Sequence, residues 1–389
     1  MKHTFVSTHK HAASPVYLDC NATAPIEPDV RAAVTRWLAE EQGNAGSRTH
    51  EYGLRAKKAV QAAREKVASV VDAARDEAIF TSGATESNNI AILGLAPHAE
   101  DSDRMHIVST AIEHKAVLEP LEALEKRGFS VTLVRPSASG AVSAESIREA
   151  LRPDTVLVSV MQANNETGAL QPIGEIAGVL EDHDAYFHVD AAQGYGKDLE
   201  PLRNKRIDLI SVSGHKIYGP VGVGALITRR RGFKRPPLTP LLFGGGQERG
   251  LRPGTLPVPL IVGFGVAAET ALRDNVARLE RCRAIRKEAL AAFESLDILI
   301  HADPDRTLSH VLNFSVTGVD SEAIMVAIKD VAAVSNGSAC TSQSYTPSHV
   351  LDAMGLPSEA ISGAIRVSWS HLTPEVDWQL VASRIASLK

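Results

Sequence analysis

Apolar positions recur every three or four residues along DVRAAVTRWLAEE, from about residue 29, and again along GLRAKKAVQAAREKVASVV, so both stretches predict amphipathic helices. A glycine-containing polar loop, QGNAGSRTHEYG, separates them. After residue 77 the pattern changes to short β-rich runs: EAIFTS, MHIVST, VTLVRP, TVLVSVM, AYFHVD, DLISVS and VGALITR. Helix-like stretches such as HKAVLEPLEALEKRG and IGEIAGVLEDH lie between several of them. Continuous apolar strands alternating with helices predict an α/β fold, with a mostly parallel seven-stranded sheet covered on both faces.

Residues 236–259, PPLTPLLFGGGQERGLRPGTLPVP, are too rich in Pro and Gly for a regular element and long enough to predict a functional segment. A long helical pattern runs from about 260 to 296, and the rest mixes strands and helices, with HVLNFSV and GAIRVSW as its clearest strands. We therefore expect a large domain over residues 26–270 and a smaller α+β domain formed by residues 1–25 with 271–389.

The 389 residues, 44% hydrophobic, are ample for that arrangement. With 46 acidic and 41 basic side chains the formal net charge is −5, so no whole-chain field draws in nucleic acid or an anionic membrane. The local run Arg229, Arg230, Arg231, Lys234 and Arg235 is the exception, readable as a solvated loop or as a docking patch for an acidic partner. The opening MKHTFVSTHKHAASP has no signal-like apolar core, and no run approaches the roughly 18 apolar residues of a membrane helix. The expected location is cytoplasmic, with no membrane attachment and no direct nucleic-acid binding. Cys20, Cys282 and Cys340 are odd in number, widely separated and free of CxxC spacing, so any special cysteine acts alone.

Four features fall at strand ends or loop openings, where open α/β sheets place their ligands. In FTSGATESNNIAI a strand ends at Ser82, a small-residue turn follows and a helix begins near Glu86. Free amides there, with Thr85 and its neighbours, suit a phosphate, although the same pattern describes an ordinary helix cap. In FHVDAAQ, Asp190 closes an apolar strand, with Gln193 three residues on. A carboxylate there fits a metal ligand, a structural ion pair or the partner of a protonated pyridine nitrogen. In SVSGHKIYGP, Lys216 follows Ser213 and His215 at the end of another apolar run. Lysine is ordinarily a solvated surface residue, but here it offers an amine for a Schiff base beside two polar side chains for a phosphate. In IEHKAVLEP, His114 opens a helix, either as a structural residue or as a ring that stacks on a flat cofactor and moves protons. Amine, pyridinium partner and phosphate cradle together are the requirements of pyridoxal phosphate.

In this order, SGHKIYGP, HVDAAQ, TSGATES, EHKAV, NNETG and LRPGTLP resemble the fold-type I pyridoxal phosphate enzymes of the class V aminotransferase group, and more narrowly the cysteine desulfurases. The resemblance spans roughly residues 17 to 372. It implies that Lys216 holds pyridoxal 5'-phosphate, that Asp190 pairs with the ring nitrogen, that Gln193 contacts the phenolate oxygen and that His114 stacks on the ring. It further implies that Ala84, Thr85, Ser213 and His215 take the phosphate, with Thr255 contributed by the other subunit of a homodimer. Asn165 and Arg366 are implied to face the substrate carboxylate, and Asn21 to line the substrate mouth. The Pro and Gly tract then becomes a dimer-facing segment. Two departures from the family pattern stand out: LDCNATAP puts Cys20 and Asn21 at the mouth, and Pro253 replaces a common serine.

Such a fold leaves transamination, decarboxylation, racemisation and β-elimination open. The choice rests on VSNGSACTSQSYTPSH, where Cys340 lies in a small, polar stretch over residues 335–349 with no apolar periodicity to bury it. That is a poor site for a structural cysteine and a good one for a nucleophile. SACTS also resembles the catalytic loop of the NifS and IscS branch. The resemblance implies conversion of L-cysteine to L-alanine, a persulfide on Cys340, proton movement by Lys216 and His114, and an acceptor protein, an iron–sulfur protein among the candidates. Cys20 and Cys282 read as structural. LDCNAT, NGSACTS and SYTPSHVL together are most similar to the desulfurases serving DNA phosphorothioation. A general iron–sulfur cluster or tRNA-thiolation desulfurase is the alternative. An aminotransferase of the same fold would leave Cys340 idle, and a non-catalytic scaffold would leave Lys216 and Asp190 without a purpose.

Overall fold

The structure, a computed structural model, describes residues 14–336 and 347–389. In chain order its strands are β1 (Val16–Tyr17), β2 (Ala78–Thr81), β3 (His106–Thr110), β4 (Ser130–Val134), β5 (Thr155–Met161), β6 (Tyr186–Asp190), β7 (Leu209–Ser213), β8 (Gly224–Thr228), β9 (Ile298–Ile300), β10 (Val311–Val316), β11 (Ala332–Ala333) and β12 (Ile365–Ser368). The seven predicted runs become β2 to β8 and form one sheet in the order β2-β8-β7-β6-β5-β3-β4. Only β8 is antiparallel to its neighbours, so β2 and the five strands from β7 to β4 share one direction.

The apolar runs are continuous because both faces of this sheet are buried, except at the edge strand β4, which is half-exposed. Val108, Val158 and Ile210 pack into a core on one face, with the helices Glu51–Ser69 and Val258–Arg273. Their immediate neighbours Ile107 and Leu157 join Val117 and Leu121 of the helix Lys115–Glu125, and Leu209 joins Ile90 and Ala91 of the helix Ala84–Leu93. Neighbouring residues thus serve opposite cores, as the two-residue period of a strand requires. Gly224 allows the closest approach in the sheet. A Cβ there would lie 2.4 Å from the Val212 carbonyl oxygen and 2.6 Å from Gly83 Cα, so any side chain would push away the turn after β2.

A second core collects Leu18, Phe293, Phe314, Trp369 and Trp378 around the three-stranded antiparallel sheet β12-β10-β9, with β1 pairing parallel to β11. The long helical pattern expected from 260 to 296 is two helices, Val258–Arg273 and Asn275–Ala292, broken at Asp274. The basic run is partly taken up by the fold, while Arg230, Arg231 and Lys234 stay exposed. Arg229 is buried and donates to the carbonyls of Leu202 (2.7 Å) and Asn204 (2.6 Å). Arg231 forms a two-point pair with Asp208, and Arg230 and Arg235 share Asp76. Ion pairing inside the fold absorbs charge that looked available in the sequence. Among the described residues no helix is long and apolar enough to cross a membrane.

Candidate active site

A cavity of about 350 Å³ opens where the carboxyl ends of β2, β5, β6 and β7 converge. This is where the parallel arrangement leaves strand-end loops facing one another. The helix Ala84–Leu93 begins two residues earlier than expected, directly after the Gly83 turn, and no side chain caps it. Ala84 and Thr85 therefore bring uncapped first-turn amides to the cavity wall, joined there by Ser213 and His215 from the end of β7.

Asp190 ends β6 and is 5% exposed. Its Oδ2 accepts from Asn88 Nδ2 at 2.7 Å and its Oδ1 from the Ala192 amide at 2.9 Å, which fixes the plane of the carboxylate. Asn88, on the buried face of the helix Ala84–Leu93, escaped sequence reasoning. Its signal was an amide among apolar positions with no turn to explain it. Gln193 donates to the Asn21 carbonyl at 3.1 Å.

Lys216 lies in the single turn Gly214–Ile217 after β7, closed by Tyr218 in a left-handed conformation (φ 67°). Its Nζ donates to the carbonyls of Asn21 and Ala22, the latter at 2.9 Å. His215 Nδ1 meets Thr23 Oγ1 at 3.1 Å, and burial, with the nearby Lys216 and Lys197 charges, pushes its pKa down to about 4. The ring is therefore neutral at neutral pH. His114 caps the helix Lys115–Glu125: its Nδ1 accepts from the Ala116 amide at 3.0 Å, so the neutral ring carries its proton on Nε2. Arg366, on β12, donates from Nη2 to Asp19 Oδ1 at 2.7 Å and from Nη1 to the Asn165 carbonyl at 3.1 Å.

The cavity thus brings together Asn21, Ala84, Thr85, His114, Asn165, Asp190, Gln193, Ser213, His215, Lys216 and Arg366. Thr255 is exposed and does not line the cavity of its own chain. Cys340 lies outside the described residues. Cys20 does not line the mouth: it is 2% exposed, with its amide bonded to the Ser368 carbonyl at 3.1 Å. Cys20 and Asn21 are the central residues of a turn closed by the Ala22 amide on the Asp19 carbonyl at 3.0 Å, and of the two only Asn21 reaches the cavity.

Residues flanking the Cys340-bearing stretch are tied to the same wall. The Ser335 amide donates to the Arg366 carbonyl at 3.1 Å, Ser348 Oγ to Glu166 Oε2 at 2.5 Å, and His349 Nε2 to the Glu113 carbonyl at 3.0 Å.

Glu113, beside His114, is fully buried. Its Oε1 accepts from Thr110 (2.7 Å) and the Met161 amide (2.8 Å), while Oε2 has no partner among the described residues, and burial pushes its pKa from 4.5 up to about 8. Between those values the unfolded chain has released a proton that the native state keeps, so stability falls as pH rises, by about 1.4 kcal/mol per pH unit at the steepest. Glu113→Gln keeps the shape without the charge and should remove that slope. Urea unfolding at pH 6, 7 and 8 checks it: parallel loss of stability in both proteins would show that other groups set the slope.

The residues suit pyridoxal phosphate on structural grounds. Asn21 Oδ1, Asn88 Oδ1 and Gln193 Oε1 are buried at the cavity without partners among the described residues, a cost that a polar ligand relieves. Carboxylate, amine and uncapped helix start meet in one space.

The sequence profile of the aminotransferase class V family matches residues 16–380. A cysteine desulfurase IscS of Methylococcus capsulatus is 44% identical over 380 residues, covering 96% of this chain and 93% of its own. The chain belongs to the cysteine desulfurases. Family membership makes the fold that of the pyridoxal phosphate-dependent class V enzymes and L-cysteine the substrate. Two solved structures share its architecture. DndA from Streptomyces lividans is 52% identical with a TM-score of 0.80, covering 89% of this chain and 97% of its own. SspA, solved in complex with cysteine, is 36% identical with a TM-score of 0.81, covering 92% and 100%.

Proposed function

We propose that this cysteine desulfurase converts L-cysteine to L-alanine, retains the sulfur as a persulfide on Cys340, and supplies it through a protein acceptor to DNA phosphorothioate modification. Support comes from one gathering: Lys216, Asp190 and the open start of the helix Ala84–Leu93 share a single cavity, in a chain 52% identical to DndA.

Lys216 would hold pyridoxal phosphate, Asp190 would face the ring nitrogen, Gln193 the phenolate oxygen and His114 the ring. Ala84, Thr85, Ser213 and His215 would take the phosphate, completed by Thr255 of the second subunit in a homodimer. When bound, the group supplies an electron sink for the electrons of the substrate Cα–H bond. The chain's own residues do the rest. Arg366, Asn165 and Asn21 bind and orient the amino acid, and Asp190 is held at a fixed position by Asn88 and the Ala192 amide. Lys216 carries the proton taken from Cα and returned when alanine forms. The Cys340 thiolate attacks the substrate sulfur: an S–S bond forms as the C–S bond breaks, with the bonding pair kept on carbon and protonated there. The persulfide then passes to a protein acceptor, an iron–sulfur protein being one candidate, and the protein itself does not touch DNA.

The IscS relative, 44% identical, favours a second reading, supply of sulfur to iron–sulfur clusters or tRNA thiolation. Deleting the gene from its host separates the two. Phosphorothioate should disappear from nuclease-digested DNA while thiolated tRNA nucleosides persist. Loss of the thiolated nucleosides with phosphorothioate intact would establish the second reading instead.

A further inference from the structure

We infer that Asp19 is a positioning residue for substrate recognition: its carboxylate fixes the Arg366 guanidinium, so that the unused N–H groups meet the α-carboxylate of the incoming amino acid. This rests on the proposed role of Arg366 in facing that carboxylate.

Arg366 has a side chain only 4% exposed, against 21% for Asp19. Its two terminal nitrogens are anchored on Asp19 Oδ1 (2.7 Å) and the Asn165 carbonyl (3.1 Å), while Nε is buried with no partner among the described residues. A guanidinium carries five N–H groups, so this arrangement leaves donors for a second anion. The Asp19 contact is the charge-assisted one. Without it, a neutral carbonyl would be the remaining anchor, and the substrate would have to order a long side chain as well as bind to it.

Asp19 does not depend on Arg366 for its own placement. It forms a parallel bridge with Ser368, on the strand that carries Arg366. The Ser368 amide donates to the Leu18 carbonyl at 2.8 Å, the Cys20 amide to the Ser368 carbonyl at 3.1 Å, and the Tyr17 hydroxyl to the Asp19 carbonyl at 2.9 Å. Backbone bonds already tie this segment to β12, so the ion pair is not needed to hold it. The same segment receives Lys216 through the carbonyls of Asn21 and Ala22. A single stretch of chain thus registers the substrate-binding arginine against the catalytic lysine.

The test compares Asp19→Ala, Asp19→Asn and Arg366→Ala as cofactor-loaded proteins, with alanine production as a function of L-cysteine. Thermal stabilisation by saturating L-alanine serves as a binding readout independent of turnover. Asp19→Ala should raise KM about ten-fold with kcat within about two-fold, and weaken the L-alanine shift in step, while Asp19→Asn, which keeps the acceptor oxygen, recovers most of the affinity. An unchanged or lowered KM in Asp19→Ala, alongside a raised KM in Arg366→Ala, would overturn the inference and leave the role of Arg366 standing. An unchanged KM in Arg366→Ala would remove both. Equal loss of melting temperature and kcat in both Asp19 variants, with KM unmoved, would make the pair merely structural and also overturn it.

Discussion

Lys216→Ala is expected to lower alanine formation from L-cysteine by at least about a thousand-fold, the scale of removing a positioned proton carrier that also anchors the reacting group. The amine is directed by the carbonyls of Asn21 and Ala22 on a turn locked by Tyr218, and no other lysine among the described residues lines the cavity. Lys197 is the nearest candidate by charge. Burial and the Lys216 charge push its pKa down to about 7, but its Nζ is engaged with His310 Nε2 at 3.0 Å and it does not line the cavity. Lys216→Arg should be equally inactive, because a guanidinium keeps its proton across the whole working range. Melting temperatures close to wild type would confirm that the fold survives, and more than about one per cent of wild-type turnover would rule out the role assigned to the amine.

Cys340→Ala should abolish sulfide, persulfide and alanine together, a loss again of at least about a thousand-fold, while cofactor absorbance stays as in wild type. Absorbance should survive because every residue proposed to hold the cofactor lies elsewhere in the chain. The other two cysteines cannot stand in. Cys20 and Cys282 are buried, and burial pushes both thiols up to about 11, so neither is a thiolate at neutral pH. Alkylation and mass spectrometry of the wild-type protein after L-cysteine should therefore find the extra sulfur on Cys340 alone. Alanine production that persists in Cys340→Ala would show that the sulfur leaves without passing through this residue.

Six of the seven strands were legible because they are buried on both faces and so read as unbroken apolar runs, while β4, half-exposed at the sheet edge, was legible from its β-branched composition. Lys216, Asp190 and the Gly83 turn were legible as residues of one cavity because each breaks the rule of its local environment: an amine, a carboxylate and an uncapped small-residue turn, all at the ends of apolar runs. Cys340 was singled out by the converse signal, a thiol with no periodicity to bury it. Partners distant along the chain left no such trace. Asn88 reaches Asp190 across 102 positions and Asp19 reaches Arg366 across 347, and neither spacing has a period or a local turn that could announce it. The ion pairs of the basic run left no trace for the same reason, since Asp76 and Asp208 lie far along the chain from Arg235 and Arg231. What the sequence determined by itself was the pattern of burial and the chemistry carried to each strand end. Which strand ends meet, and hence which charges are paired, aimed or left open to a ligand, depended on the order of strands in the sheet and on the return of residues 14–23 across them, because long-range contacts are set by topology and not by local pattern.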